Sequence, residues 1–445
     1  MKNLMKKRPR MQPRPSLARL TGMRNSWRVL AGVTAAALLA AGCGSSGAPG
    51  PGKPAPNASA PVISRGVAAR EPAADPRPYG TADTAFGLDV LRAWCQAEPQ
   101  ANLVFSPASL ATGLGMAYLG ARGGTAQAMA SVLHLPAVRG QQLQAGLQAR
   151  SAALRGLDSP GVTVADSDQV WTDPSLITLR SYLNAVATAY GAGVARVPLL
   201  KYPEKARVEI NGAVAAATRG QLPQLLAPGS LGQVGWVLTD ALYLHAAWAT
   251  PFDPRRTSAE PFRTAAGPTV TAKFMKGGGF RVAKAGGWTA VRIPYRGGRL
   301  AMEALLPDSG SAGCPVLSSA TLGTISAGLA NSTNQTAIAL PKVSLSSSLR
   351  MNGLLSELGM GIAFGGSADF SGLSPQACCI GFVQHAATLR VGEQGTVASA
   401  ATAVGVLPTA TEFEVDFNRP YLMVVTDTRT GEPLFMARVT NPQAS

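Results

Sequence analysis

The order of hydrophobic patterns along the chain constrains its fold more than any other feature. Apolar residues recur at helical spacing from Phe86 to Trp94, over 206–226 and over 351–360. Strand-like runs follow mainly in the second half, at 234–249, 290–306, 336–346, 380–391, 413–425 and 433–440. Because helices and strands are segregated rather than alternating, we predict an α+β fold and not a parallel βαβ fold.

Two helices are predicted near the start of the folded domain. The first covers 84–97 and ends before Pro99, since proline cannot continue a helix. The second begins after Ser106, whose hydroxyl is placed to cap it, and Pro107 takes the first helical position, where a missing N–H costs nothing. These signals place the start of the domain near Thr81.

The N-terminus has the pattern of an export signal. Residues 1–28 carry nine Lys and Arg residues and no acidic residue, and residues 29–41 are apolar but too few to cross a bilayer. Small residues then lead to Cys43, in a pattern that resembles a bacterial lipobox, whose cysteine is lipidated in the mature chain. The alternative is an ordinary secretory signal with an incidental cysteine.

The stretch after Cys43 is rich in Gly, Pro, Ser and Ala and has too little apolar surface to fold. We therefore expect an extracytoplasmic protein that is either lipid-anchored to the cell membrane through Cys43 or secreted. Its predicted parts are a signal peptide (1–42), a flexible tether (43–80) and a folded domain (81–445).

The high net charge does not indicate a nucleic-acid partner. The chain has 40 Lys and Arg residues against 24 Asp and Glu, a formal charge of +16, but nine of the basic residues lie in the export signal. The remaining 31 basic residues give +7. They do not cluster with aromatic residues, as a nucleic-acid groove would need.

Residues able to carry catalysis are sparse. The three histidines are His134, His245 and His385, and the chain lacks the H-E-x-x-H, G-x-S-x-G and G-x-G-x-x-G motifs. We therefore predict neither an enzyme nor a cofactor.

Four cysteines remain once Cys43 is assigned to lipidation. An even number in an exported protein permits a disulfide, although neighbours in sequence rarely pair with each other. No C-x-x-C spacing occurs, so no metal site is predicted. The pairing stays open among Cys95, Cys314, Cys378 and Cys379.

The segment 393–412 is unusual because it is a long connection with the composition of a strand. Between its terminal Glu residues it contains only small or apolar side chains and one glutamine. Residues suited to a strand alternate along it, with Thr396, Ala398, Ala400 and Thr402 on one face. It could be buried as a strand; a flexible Ala-rich linker is the alternative.

Short motifs in a fixed order resemble the serpin family. The match runs from about Thr81 to Pro442, and the order and spacing of the motifs make it specific. They are 102–109, 210–211, 239–248, 293–297, 340–342, 368–372, 417–421 and 434–442. The resemblance implies helices around a large mixed central sheet, smaller antiparallel sheets and an exposed reactive-centre loop, in a protein expected to be a monomer.

The resemblance also implies a mechanism of inhibition. In such proteins a serine protease attacks the loop and forms an acyl-enzyme, and the freed loop inserts as a new strand of the large sheet. By this mapping Thr409 and Ala410 flank the attacked bond. The hinge and the inward face of the inserting strand are Glu393, Gly395, Thr396, Ala398, Ala400 and Thr402. Because no Arg, Lys or aromatic residue precedes the bond closely, elastase-like or subtilisin-like proteases are the expected targets.

Two further regions are assigned by the same resemblance. The shutter, where the central strands separate, comprises Ser106, Ser109, Asp240 and His385; the breach, where the loop enters, comprises Trp248 and Lys342. Asp240 stands where Asn is usual, so we expect a charge-assisted hydrogen bond to His385. Lys342 is expected to pair with Glu393.

Two other functions remain compatible with the sequence. One is a serpin that is cut as a substrate without inhibiting. The other is a lipoprotein binding module whose loop is a recognition peptide. Val397 replaces a usual Glu but leaves the inward face intact, and no Pro occurs between Glu393 and Leu407, so loop insertion is favoured.

Overall fold

The computed structural model describes residues 61–232, 234–309, 313–396 and 414–444. The predicted export signal and Cys43 lie outside the described residues, as do 397–413, which include Ala398, Ala400, Thr402, Thr409 and Ala410. The predicted α+β class is confirmed, with helices mainly in the first half and two large sheets.

Most helices precede residue 220. They are α1 (Arg77–Ala97), α2 (Pro107–Gly120), α3 (Gly123–Val132), α4 (Gly140–Arg155), α5 (Arg180–Tyr190), α6 (Pro203–Ala217), α7 (Ser319–Asn331) and α8 (Asn352–Leu355). Ser106 caps α2 as predicted, because its hydroxyl accepts a hydrogen bond from the backbone N–H of Ser109 at 3.1 Å. None of the helices in the described ranges is both long and apolar enough to cross a membrane.

The first sheet is mixed and carries the site described below. Its strands are β1 (Val62–Ser64), β3 (Val162–Asp166), β4 (Gln169–Thr172), β5 (Val194–Arg196), β6 (Trp236–Ala247), β12 (Val343–Arg350), β13 (Val383–Gly392) and β14 (Gly395–Thr396). Their order is β1-β5-β4-β6-β14-β13-β12, and β3 also pairs with β6. We call the end of β6 at Ala247 the upper end of this sheet and the end at Trp236 its lower end.

The second sheet holds the remaining strands. They are β2 (Leu103–Phe105), β7 (Ser258–Arg263), β8 (Thr269–Ala285), β9 (Trp288–Pro294), β10 (Leu300–Pro307), β11 (Gln335–Pro341), β15 (Glu414–Asp416), β16 (Tyr421–Asp427) and β17 (Pro433–Val439). Helix α2 contacts β6 of the first sheet and β17 of the second. It is buried along most of its length because its Ala, Leu, Gly and Met residues are apolar on every side.

Several predicted elements are shorter or more broken than expected. The run at 290–306 is a hairpin of β9 and β10, because Gly297 and Gly298 turn the chain with φ of +82° and +71°. The run at 336–346 divides between β11 and β12, which belong to different sheets. The helix predicted over 206–226 ends at Ala217.

Regular secondary structure is also present before Gly80, within the segment predicted as a tether. Strand β1 pairs antiparallel with β5, and α1 begins at Arg77. Backbone N–H groups of the segment after β1 donate to side chains of α4 and α5, among them Val67 N to Asn184 Oδ1 at 2.8 Å and Ala69 N to Thr188 Oγ1 at 2.9 Å. Backbone hydrogen bonds hold this segment. Because few of its side chains are apolar, its sequence did not predict that it packs on the domain.

Strand β1 also fixes where the chain joins the first sheet. Val62 lies opposite Arg196, Arg196 opposite Thr172, and Thr172 opposite Trp236. The N-terminal segment therefore reaches the domain at the lower end of the sheet.

A disulfide resolves the pairing that the sequence left open. Cys95 on α1 is bonded to Cys314, which lies before α7, while Cys378 and Cys379 are free thiols. The bond closes a loop across a sequence separation of 219 residues.

We expect the double variant Cys95→Ala/Cys314→Ala to melt at a lower temperature than the wild type. Chain-entropy arguments put the upper limit of the lost stability at about 5 kcal/mol for so long a loop. Thermal unfolding followed by circular dichroism measures the change, and a reductant should lower the wild-type Tm similarly. Cys378→Ala/Cys379→Ala is the matched control and should melt like the wild type; equal melting of all three proteins would contradict the prediction.

Candidate functional site

The hinge predicted at the start of the loop lies inside the first sheet. After β13 the chain turns at Glu393 and Gln394, and β14 then pairs on both sides. Thr396 lies opposite Val391 of β13 and opposite Ala246 of β6. Its side chain is completely buried, so the first residue predicted to face inward occupies a slot between two central strands.

Gly395 is the pivot of this turn. Its φ is +149°, a conformation that side chains other than hydrogen rarely allow. A Cβ at this position would lie 2.1 Å from the carbonyl oxygen of Ala246. Only glycine fits, which agrees with the pivot role assigned from the sequence.

Two aromatic residues at the upper end of the sheet hold the hinge. The Tyr295 hydroxyl shares a 2.6 Å hydrogen bond with Thr396 Oγ1, and the Tyr295 ring stacks on Trp248 with centroids 4.4 Å apart. The Trp248 indole donates to the carbonyl oxygen of Gly392 at 2.9 Å. Burial raises the pKa of Tyr295, so the hydroxyl stays protonated.

Tyr295 was not assigned a role from the sequence. It lies directly after β9 and follows Ile293 and Pro294, where an aromatic side chain is most simply interpreted as core. Its position in a motif shared with the family was the one available signal.

The predicted ion pair of the breach is formed. Lys342 Nζ lies 3.0 Å and 2.8 Å from the two carboxylate oxygens of Glu393, and Thr257 donates to the same carboxylate at 3.0 Å. Partial burial alone would raise the pKa of Glu393, but the hydrogen bonds from Lys342 and Thr257 outweigh it and hold that pKa below its ordinary value.

This ion pair gives the stability of the hinge a pH dependence. Because the folded-state pKa of Glu393 is depressed, its contribution is present above the ordinary value of 4.5 and is lost as the pH falls through the folded-state pKa. The Tm difference between wild type and Glu393→Gln should therefore be full at pH 6–7 and vanish at low pH. Lys342 is 39% exposed, so we expect at most about 1 kcal/mol.

The exposed residue Glu357 provides the control for this measurement. It forms no ion pair within the described part of the chain, so Glu357→Gln should leave the Tm unchanged at every pH. A Tm difference for Glu393→Gln that does not depend on pH would contradict the assignment.

The shutter contacts form where β6 and β13 pair directly. The two strands run parallel over Leu238–Leu242 and Val383–Ala387, with Asp240 opposite His385. His385 Nδ1 is hydrogen-bonded to Asp240 Oδ1, and the Ser106 backbone N–H donates to His385 Nε2 at 3.1 Å. Since Nε2 accepts, the ring proton is on Nδ1 and is donated to the carboxylate.

A further carboxylate extends the shutter. The Ser109 hydroxyl donates to Asp168 Oδ1 at 2.5 Å, which links α2 to the segment between β3 and β4. Burial, followed by the nearby Asp166 and Asp240 carboxylates, raises the pKa of Asp168 well above its ordinary value. Asp168 was missed in the sequence because it follows a short strand and looks like a loop residue.

The structure thus brings the predicted residues together in two groups. The breach contains Trp248, Lys342, Glu393, Gly395 and Thr396, and the shutter contains Ser106, Ser109, Asp240 and His385. The described residues contain no group of His, Cys, Asp or Glu side chains that could hold a metal ion. The predicted reactive bond lies outside the described residues.

Comparison with known proteins identifies the family to which a chain with this hinge and shutter belongs. Residues 81–442 match the family model described as serpin (serine protease inhibitor). The leukocyte elastase inhibitor of Sus scrofa is 30% identical over 375 residues, which cover 81% of this chain and 98% of that protein. An uncharacterised serpin-like protein of Thermococcus kodakarensis is 31% identical over 349 residues, covering 77% of this chain and 81% of its own length.

Solved structures share the fold. The native state of the thermophilic serpin tengpin superimposes with a TM-score of 0.76 at 21% identity, covering 86% of this chain and all of tengpin. Uncleaved ovalbumin gives a TM-score of 0.72 at 22% identity, covering 82% of this chain and all of its own. The family model matches residues 81–442, and the domain has the serpin fold. The chain therefore belongs to the serpin family.

Proposed function

We propose that this serpin inhibits serine proteases as a suicide substrate, by cleavage after Thr409 and insertion of the loop into the first sheet. The observation that carries the proposal is the position of Thr396, which is already paired between β6 and β13. Its inward face is continued in the sequence by Ala398, Ala400 and Thr402, which are small enough for a closing sheet.

The pairing of the central strands supplies a driving force for insertion. Below β14, strands β6 and β13 pair directly in parallel. A loop that continues the direction of β14 would separate them and pair antiparallel with both, because β14 is antiparallel to each strand. One parallel ladder would be replaced by two antiparallel ladders, which hold more hydrogen bonds.

The residues around the proposed bond favour proteases with small specificity pockets. Val406, Leu407 and Pro408 precede Thr409, so no basic side chain reaches an acidic pocket and no ring fills a deep apolar one. Several relatives carry the name leukocyte elastase inhibitor, which agrees with this preference. Elastase-like and subtilisin-like enzymes are the proposed targets.

The experiment is to incubate the purified protein with elastase, subtilisin or trypsin and to separate the products by denaturing electrophoresis. Elastase or subtilisin should give a complex that survives denaturation, formed faster than any complex with trypsin. Mass spectrometry of the released C-terminal peptide identifies the cleaved bond. Cleavage without a stable complex would indicate a substrate serpin, and an uncut loop would favour the recognition-module function.

We also propose that the protein is exported as a monomer and anchored through a lipid on Cys43. The basic segment, the apolar run and the small residues before Cys43 support this proposal. The disulfide between Cys95 and Cys314 agrees with an oxidising compartment.

The variant Cys43→Ser tests the anchor. Without the thiol no lipid can be attached, so we expect the protein to move from the membrane fraction to the soluble extracytoplasmic fraction. Fractionation of expressing cells followed by immunoblotting measures the change, with Cys378→Ser, a free thiol elsewhere in the chain, as the control. An unchanged membrane fraction for Cys43→Ser would refute anchoring by lipid.

A further inference from the structure

A cavity beside the shutter and away from the hinge has the chemistry of a ligand site. It has a volume of about 370 Å³ and lies under the first sheet, between α2, α4 and β3. Apolar side chains from these elements and from β6 form part of its wall, among them Leu154, Val164 and Leu242. The rest of the lining is polar.

The polar lining contains more acidic than basic side chains. Asp158, Asp166 and Asp168 all line the cavity, against one cation, Arg155. The Arg155 guanidinium donates to the backbone carbonyl of Tyr190 at 3.0 Å. None of the three carboxylates forms an ion pair with another of the described residues. Asp166 ends β3 and Asp168 lies two residues further along the chain, and both line the cavity.

Two hydroxyl groups independently point to a ligand. Tyr190 and Ser151 are 7% and 6% exposed, and the hydroxyl oxygens of both lack a hydrogen-bond partner among the described residues. Both line the same cavity as the carboxylates. A buried hydroxyl without a partner destabilises the folded protein, so a ligand that hydrogen-bonds to these oxygens would remove that cost.

We propose that this cavity binds a short alkyl diamine. Its ammonium groups would be held by the carboxylates of Asp166 and Asp168 and by the hydroxyl oxygens of Ser151 and Tyr190, which can accept their hydrogens. Its methylene chain would pack on Leu154, Val164 and Leu242. Anions are disfavoured by the three carboxylates, and the described residues offer no grouping suited to a metal ion.

The cavity lies beside the shutter. The proposal that it binds a diamine does not rest on the proposed inhibition of proteases. Asp168 accepts from Ser109 on α2 and lies close enough to Asp240 for the two carboxylates to repel each other. A bound ammonium group would offset this repulsion. Binding should therefore raise the Tm of the uncleaved protein, since a ligand of the folded state stabilises it.

Isothermal titration of the full chain with 1,5-diaminopentane at low ionic strength tests the proposal. We expect saturable binding with one site, and no binding of the neutral analogue 1,5-pentanediol. Asp166→Asn, at the exposed edge of the cavity, should raise the Kd at least tenfold, and Tyr190→Phe, which keeps the ring, should raise it severalfold. Glu357→Gln, away from the cavity, is the control for a general charge effect.

The possible outcomes distinguish diamine binding in the cavity from a general attraction of the diamine to acidic residues on the surface. A Kd raised by Asp166→Asn and Tyr190→Phe but not by Glu357→Gln supports the proposal. Absence of diamine binding to the wild type, equal binding of the diol, or equal Kd values in all variants would overturn it.

Discussion

The variant Thr396→Arg is expected to lose stable complex formation while its loop is still cleaved. Thr396 is completely buried between β6 and β13, and its hydroxyl contacts the Tyr295 hydroxyl. An arginine there would place a guanidinium between Ala246 of β6 and Val391 of β13. A buried charge that stays unpaired costs several kcal/mol. Insertion would stall, and the acyl-enzyme would be hydrolysed first.

Cleavage and complex formation are measured separately in this experiment. The proposed bond lies 13 residues after Thr396, so the cleavage rate should stay close to that of the wild type. Electrophoresis should show cleaved variant and free protease with no complex. Cleavage should also raise the Tm of the wild type but not of the variant.

Val397→Arg is the matched control. The alternation of the strand places Val397 on the opposite face from Thr396, so an arginine there should remain in solvent and leave inhibition intact. Val397 itself lies outside the described residues. Equal inhibition by Thr396→Arg and the wild type, or a cleaved wild type that melts no higher than the uncut protein, would show that loop insertion is not the mechanism.

The variant His385→Ala is expected to destabilise the native domain by about 3–5 kcal/mol, because it leaves a buried carboxylate without its partner. His385 is completely buried and Asp240 is 1% exposed, and Asp240 Oδ2 already has no partner among the described residues. The variant would also lose the hydrogen bond from Ser106 N–H. For a domain of this size the Tm should fall by roughly 4–7 °C.

Two further variants test whether the stability lost in His385→Ala comes from the hydrogen bond between His385 and Asp240. Asp240→Asn retains a side-chain oxygen that accepts from His385 Nδ1, so its Tm should change far less than that of His385→Ala. His245→Ala removes a histidine that lies on the same strand, β6, but outside the shutter, and should have little effect. If His385→Ala and His245→Ala melted alike, the shutter contact would not be a main determinant of stability.

The contacts predicted from the sequence were those that the family resemblance could specify by position. The Lys342–Glu393 pair, the Asp240–His385 hydrogen bond and the entry of Thr396 between two strands all followed from aligning short motifs. No local pattern of charge or hydrophobicity predicts them, because the partners are far apart in sequence. Their geometry depends on the assembled sheet.

Other features could not be predicted because they depend on backbone contacts or on elements from several parts of the chain. Strand β1 is held by backbone hydrogen bonds, which leave no trace in a segment rich in Pro and Ala. Four cysteines allow three pairings, and only the packing of α1 beside Cys314 selects one. Asp168 interacts with Ser109 on α2 and Asp240 on β6 only because the fold places these two elements beside it.

The point at which the N-terminal segment joins the domain has a consequence for an anchored molecule. Ala246, opposite Thr396, is ten residues from Trp236 along β6, a distance of about 33 Å. Before cleavage, a protein held to a membrane through its lower end would present the start of its loop, at Thr396, on the side facing away from the lipid.

After cleavage, a loop inserting antiparallel to β6 would carry Thr409 beyond Trp236, and so beyond the level of Val62. A protease captured at the outer side of the molecule would then be delivered, still bound, to the side nearest the membrane. The length of chain before Val62 thus sets whether a protease fits beneath the domain, and so whether an anchored inhibitor can complete its reaction.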